Sequence, residues 1–162
     1  MAILRHEALQ PLSRQHHQGL LASLLLEKGL KKNASLKEMR DFILQFWEEE
    51  LSSHFEKEDF LFLPLANTYP QLIEALTQLK NEHQEIRLII QKLNNEARSE
   101  QFETIAFFAT SLEKHIRFEE RQLFNAIQEA LPEEEMIAFS ADLNAISEKD
   151  FCTKYPVKFW EN

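Results

Sequence analysis

Apolar residues recur along this chain at steps of three and four, the spacing that keeps one stripe of a helix turned toward a core, and breaks in the rhythm leave four long segments. The first runs from about Leu12 to Lys28 and carries Leu20, Leu21, Leu24 and Leu25, with Gly29 placed to stop a helix. The second opens at Ser35-Leu36-Lys37-Glu38, where Ser and Glu can each satisfy an orphan amide of the first turn. It continues through Met39, Ile43, Phe46 and Trp47 to Leu61, and Pro64 ends it. The third begins near Pro70 and sets Ile73, Leu76, Leu79, His83, Ile86, Ile90 and Leu93 on one stripe. The fourth does the same with Ile105, Phe108, Leu112, His115, Glu119, Leu123 and Ala126, ending before Pro132. A shorter amphipathic segment spans Glu133 to about Ile146, with Glu133-Glu134-Glu135 as favourable charge in its first turn, and the aromatic tail "DFCTKYPVKFWEN" comes after it.

Four long helices joined by short connections predict an all-α fold, an up-down-up-down antiparallel four-helix bundle with a short C-terminal extra helix and tail. The length predicts one domain, 1-162, with a bundle core at about 12-131 and the C-terminal helix and tail at 132-162. The tail is expected to pack across the bundle or to make a self-contact, as in a homodimer. Only two Gly occur, and no Asn-Gly or Asp-Gly hairpin signal competes with the helices.

Composition narrows the function classes. Thirteen Phe and 44% hydrophobic residues supply a core and argue against disorder. A net charge of −9 opposes binding to nucleic acid, and the one basic run, Lys28 to Lys32, reads as a helix end and its loop. The single cysteine, Cys152, excludes an internal disulfide, fits a reducing compartment and has no His or basic neighbour in sequence that would make it a nucleophile. The start lacks a long apolar run, and Leu20 to Leu26 is too short to cross a bilayer, so a cytoplasmic protein without a membrane partner is expected.

Two stretches stand out against this background, "HFEKE" (His54 to Glu58) and "HIRFE" (His115 to Glu119). Residues four apart share a helix face, so each His points with its Glu, and both pairs lie on apolar stripes. A carboxylate buried in a bundle core is costly by several kcal/mol unless its charge is compensated. No Lys or Arg falls in register, which leaves a metal cation. Imidazoles with carboxylates and no thiolate suit iron, with manganese and zinc behind it, whereas calcium and magnesium call for oxygen ligands. Four His and two Glu are too many for one tetrahedral zinc and suit two metals sharing carboxylates. The Glu-x-x-His pairs of ferritin-like di-iron proteins are absent, since Leu51, Lys80 and Leu112 stand three residues before the histidines. Alone, either His-x-x-x-Glu pair would read as a solvated helix pair; two copies, each preceded by a helix with a stripe histidine, favour the metal.

These residues resemble the hemerythrin-like family, whose signature is a His on helix one, His-x-x-x-Glu on helix two, a His on helix three and His-x-x-x-Glu on helix four. The resemblance runs from about Leu12 to Leu131 and rests on "HHQGLL", "HFEKEDFLFLP", "NEHQEI" and "HIRFEERQLF". It implies that His17 and His54 hold one iron, that His83 and His115 hold the other, and that Glu58 and Glu119 bridge a non-haem Fe-O-Fe type pair for which zinc or manganese could substitute. His17 is favoured by aligning the family word His-Lys-Gly-Leu on "HQGL" and by Leu20, Leu21, Leu24 and Leu25 on its face; His16 fits the alternative stripe of Leu9, Leu12 and Leu20. Oxygen-carrying members place a further His where this chain has Arg87, and use a longer His-to-Asp spacing on helix four. The likeness therefore moves toward the four-His, two-Glu members associated with iron or oxygen sensing and with repair after nitrosative stress. It implies a protein that binds or senses a small diatomic ligand, O2 or NO, with no catalytic residue of its own. The alternatives are a di-iron enzyme that reduces peroxide or nitric oxide with a redox partner, and an iron store or donor. His6, before the first helix, is expected to be exposed, and the Phe residues at 46, 55, 60, 62, 107, 108, 118 and 124 to form core and cavity wall.

Overall fold

The computed structural model describes residues 4–95, 97–146 and 149–161, so the first three residues of the leader and the last of the tail lie outside it. It is all-helical, and no strand occurs among the described residues. Helix α1 is Gln10–Lys31; α2 covers residues 36–62; α3 is Ile73–Asn95; α4 covers residues 101–130. Three short helices come next, α5 (Glu133–Ala138), α6 (Ser140–Leu143) and α7 (Phe151–Lys154). The long helices pack together as a helical bundle, with α1 along α4 and α3 against both α2 and α4.

Several ends form as the local chemistry demands. Ser35 caps α2 by accepting the amide of Glu38 at 3.2 Å. Gly29 does not stop α1. The helix runs on to Lys31 and turns at Asn33, whose φ of 55° is left-handed, while the amide of Ala34 closes on the carbonyl of Gly29 at 2.9 Å. Gly29 has a packing role instead: a Cβ there would lie 2.8 Å from Met39 Sδ and 2.8 Å from Phe159 Cδ1. Gly19 likewise lets α1 approach α4, since a Cβ would fall 2.5 Å from Ile116 Cδ1.

Two π-turns rotate the register of the helices that carry the His-x-x-x-Glu pairs. In α2, residues Trp47–Leu51 form a wide turn closed by the Ser52 amide on the Trp47 carbonyl. In α4, Glu119–Leu123 is closed by the Phe124 amide on the Glu119 carbonyl. One extra residue turns the remainder of each helix by about 100°. The buried stripe of α2 therefore steps from Phe46 to Leu51, His54, Phe55 and Glu58, leaving Trp47 half-buried. In α4 it passes from Glu119 to Leu123, Phe124 and Ile127, and Ala126, expected inside, is half-buried. Ile73 is also displaced outward, because Leu72 in the preceding 3-10 turn fills the core position. Phe60 and Phe107, read as core, face solvent at 73% and 52% exposure.

The apolar interior falls into two clusters. One gathers Leu26, Phe42, Phe46, Phe55, Ile86 and Phe108 with the tail residues Phe151, Cys152, Tyr155 and Phe159. The other gathers Leu9, Leu12, Phe62, Leu79, Phe124 and Phe139. The tail thus packs across one end of the bundle, where Phe42 meets the rings of Phe151, Tyr155, Phe159 and Trp160 at centroid distances of 5.6, 4.9, 5.2 and 6.1 Å. Phe42→Ala would open a cavity beneath four rings, and urea denaturation is expected to show a loss of about 3–5 kcal/mol.

Candidate metal centre

A polar layer separates the two apolar clusters. His16 on α1, His54 and Glu58 on α2, His83 on α3, and His115 and Glu119 on α4 are all buried there, with Glu58, His83 and Glu119 fully enclosed. Donor atoms of His16, His54, Glu58 and Glu119 lie within 4.8 Å of one another, as do those of Glu58, His83, His115 and Glu119. The two groups share both glutamates.

His17, expected as the helix-one ligand, is exposed, and His16 occupies the inward position. The inward stripe of α1 runs through Leu12, His16, Gly19, Ala22, Ser23 and Leu26, while Leu24 is 46% exposed. Small residues mark this face because α4 approaches it closely. A count of leucines therefore selected the wrong face. Five of the six expected residues come together, and His16 completes the set.

Each imidazole is held from outside through Nδ1. His16 Nδ1 donates to Glu120 Oε1 at 2.8 Å, His54 Nδ1 to Gln15 Oε1 at 2.6 Å, His83 Nδ1 to Asp59 Oδ1 at 2.6 Å, and His115 Nδ1 to Glu82 Oε1 at 2.7 Å. In a neutral ring with its proton on Nδ1, Nε2 is the atom left with a lone pair, and all four Nε2 atoms point into the layer. The Nε2 atoms of His16 and His54 face each other at 3.2 Å. His54 Nε2 stands 2.6 Å from Glu58 Oε1, and His115 Nε2 is in close contact with Glu119 Oε1. Apart from the contact between His16 and His54, the layer is unsatisfied: both oxygens of Glu58 and of Glu119, with His83 Nε2 and His115 Nε2, have no hydrogen-bond partner of acceptable geometry. Ligand-type atoms that converge in a buried layer without hydrogen-bond partners fit a metal cation.

Sequence reasoning missed the four anchors, Gln15, Asp59, Glu82 and Glu120. Each is adjacent in sequence to an inward ligand residue, the one signal that could have found them. Two are braced by arginine. Arg87 Nη2 lies 2.8 Å from Asp59 Oδ2, and Arg5 Nη2 lies 3.0 Å from Glu120 Oε2, which also accepts from Ser13 Oγ at 3.1 Å. His6, expected to be exposed, is partly buried: its Nδ1 accepts the Ala8 amide and its Nε2 meets Glu133 at 2.9 Å, which fixes the leader that carries Arg5.

Electrostatics prepare the ligands for a cation. Burial holds the pKa of His16 below its ordinary value and that of His115 down to about 4, so both are neutral at pH 7. Burial pushes Glu58 up, but the imidazoles of His54, His83 and His16 outweigh it and keep the carboxyl below its usual range. Glu120 falls to about 2, because His16, Ser13 and Arg5 overcome its desolvation. Cys152 is buried and raised to about 12, which leaves it an inert thiol.

A cavity of about 370 Å³ reaches this layer from the surface. Exposed Arg14, His17 and Lys149 line its outer part, and Phe46, Phe55, His54 and Glu119 its inner part. Phe55 also stacks on His83 at 3.9 Å, and Phe124 on His16 at 5.6 Å.

The family model of the hemerythrin HHE cation-binding domain matches residues 9–127, which takes in every member of the polar layer. The chain belongs to the hemerythrin HHE cation-binding family. Comparison with curated proteins and with solved structures gave no match. As a hemerythrin-type domain the chain binds cations, and its buried His and Glu clusters are where a metal fits.

Acid should destabilise the metal-stripped protein. An unfolded His takes a proton near 6.5, whereas folded His115 waits until about 4, so the unfolded state binds more protons across that window. His16 and, below about pH 4.5, the depressed carboxylates act in the same direction. Urea denaturation between pH 7 and pH 4 is expected to show a loss of roughly 3 kcal/mol from His115 alone.

Proposed function

We propose that this chain is a non-haem di-iron protein of hemerythrin type that binds or senses a diatomic ligand, O2 or NO. The observation that carries the reading is the convergence of four buried imidazoles on two buried carboxylates whose oxygens have no hydrogen-bond partner. In this reading His16 and His54 hold one ion, His83 and His115 the other, and Glu58 and Glu119 are shared. The four long helices are read as an antiparallel up-down-up-down bundle forming one domain, and the lone buried thiol favours the cytoplasm.

Iron, when bound, supplies a redox-active centre able to coordinate a diatomic ligand; the rest is the protein's work. The carboxylate anchors fix imidazole orientation and keep Nε2 available. Phe55 and Phe124 wall the histidines, exclude water and lower the local dielectric. The buried part of the cavity is flanked by Phe46 and Phe55, which suits a small uncharged guest.

Aerobically purified protein is expected to contain two irons per chain and a visible absorption band that reduction removes. His16→Ala should lower iron content to one ion or none, whereas His17→Ala should leave it unchanged; the reverse would restore the other assignment. Stoichiometric uptake of O2 or NO identifies a binder or sensor, and steady consumption with added reductant identifies an enzyme.

A further inference from the structure

The anchors of the four histidines repeat between the two halves of the chain. His16 is held by Glu120, the residue after Glu119, and His83 by Asp59, the residue after Glu58. His115 is held by Glu82, the residue before His83, and His54 by Gln15, the residue before His16. The correspondence breaks in one respect of charge: Gln15 presents a neutral amide where Glu82 presents a carboxylate.

That difference has two chemical effects. A carboxylate only accepts, so Glu120, Asp59 and Glu82 fix the proton on Nδ1 of their histidines. An amide offers oxygen from one end and N–H from the other, so Gln15 can turn over and stabilise the opposite tautomer of His54, in which Nε2 carries the proton and cannot ligate. A neutral acceptor also withdraws the Nδ1 proton less, leaving Nε2 a poorer donor.

On the di-metal reading, we propose that Gln15 makes the two metal positions unequal: the ion at His83 and His115 binds first and tightly, and the ion at His16 and His54 binds second and exchanges. Gln15 acts through His54 and is a positioning residue. Gln15, His16 and His54 all stand in the wall of the cavity, beside His115 and Glu119, so the weaker ion has a path to solvent.

The test is an anaerobic titration of the metal-stripped full chain with Fe(II), and in parallel with Co(II), following heat and the visible Co(II) bands. Two cations sharing carboxylates repel each other, so two steps in the natural protein would not decide the matter. The variants do. Gln15→Glu is expected to strengthen the weaker step about tenfold and leave the tighter one unchanged, and Glu82→Gln to weaken the tighter step about tenfold. A Gln15→Glu protein with an unmoved weaker step, or with a shifted tighter one, overturns the proposal while leaving the metal centre intact. Failure of the natural protein to take up either ion would overturn the di-metal reading and this inference with it. Should Gln15→Glu lose its helical circular dichroism, Glu82→Gln alone decides, by whether it shifts the tighter step.

Discussion

Two carboxylates enclosed between apolar clusters set the terms for this molecule. Glu58 and Glu119 sit at zero exposure, and none of their oxygens receives a hydrogen bond. Placing bare negative charge in such an interior costs several kcal/mol per group after relaxation. The imidazoles around Glu58 offset part of that cost, but burial keeps His16 and His115 neutral, so these two rings bring no positive charge of their own at pH 7. Cation binding in this layer, where the buried His and Glu clusters lie, resolves the conflict.

The layer outside the ligands is as organised as the ligands themselves. Three carboxylates and an amide clamp the four rings from behind, and two arginines clamp two of those carboxylates. The arginines come from unrelated places. Arg87 is one helical turn after His83 on α3, whereas Arg5 reaches in from the leader, which His6 and Glu133 hold in place. Arg87 stands where oxygen-carrying relatives would place another histidine, yet it serves the centre through Asp59 and through the ring of Phe55, 5.9 Å away. The π-turns belong to the same economy of position, for without them the stripes of α2 and α4 would not carry both helix packing and the ligand pairs on a single face.

The tail shapes access. Its aromatic rings cover the end of the bundle around Phe42, while Lys149 and Asp150 border the cavity that leads to the polar layer. Cys152 ties the tail to α1 through a backbone amide donated to Gln18 Oε1 at 3.0 Å. The entrance is therefore shared between the tail segment, through Lys149 and Asp150, and α1, through Arg14 and His17. Among the described residues no helix is long and apolar enough to cross a membrane.

Periodicity alone determined that the chain is helical, where the four long helices lie, and that His54, Glu58, His83, His115 and Glu119 share an interior. Those conclusions were legible because spacing of three and four is a property of the helix and needs no partner. The choice between His16 and His17 was not, because it depended on how near α4 lies to α1, and close approach is recorded by Gly19, Ala22 and Ser23, which carry no hydrophobic signal. Gly29 read as a stop for the same reason: its missing side chain answers to Phe159, 130 positions away in sequence, not to the local backbone. The imidazole anchors and the fold of the tail over Phe42 likewise came only from tertiary structure, since each is a relation between elements and not a pattern within one.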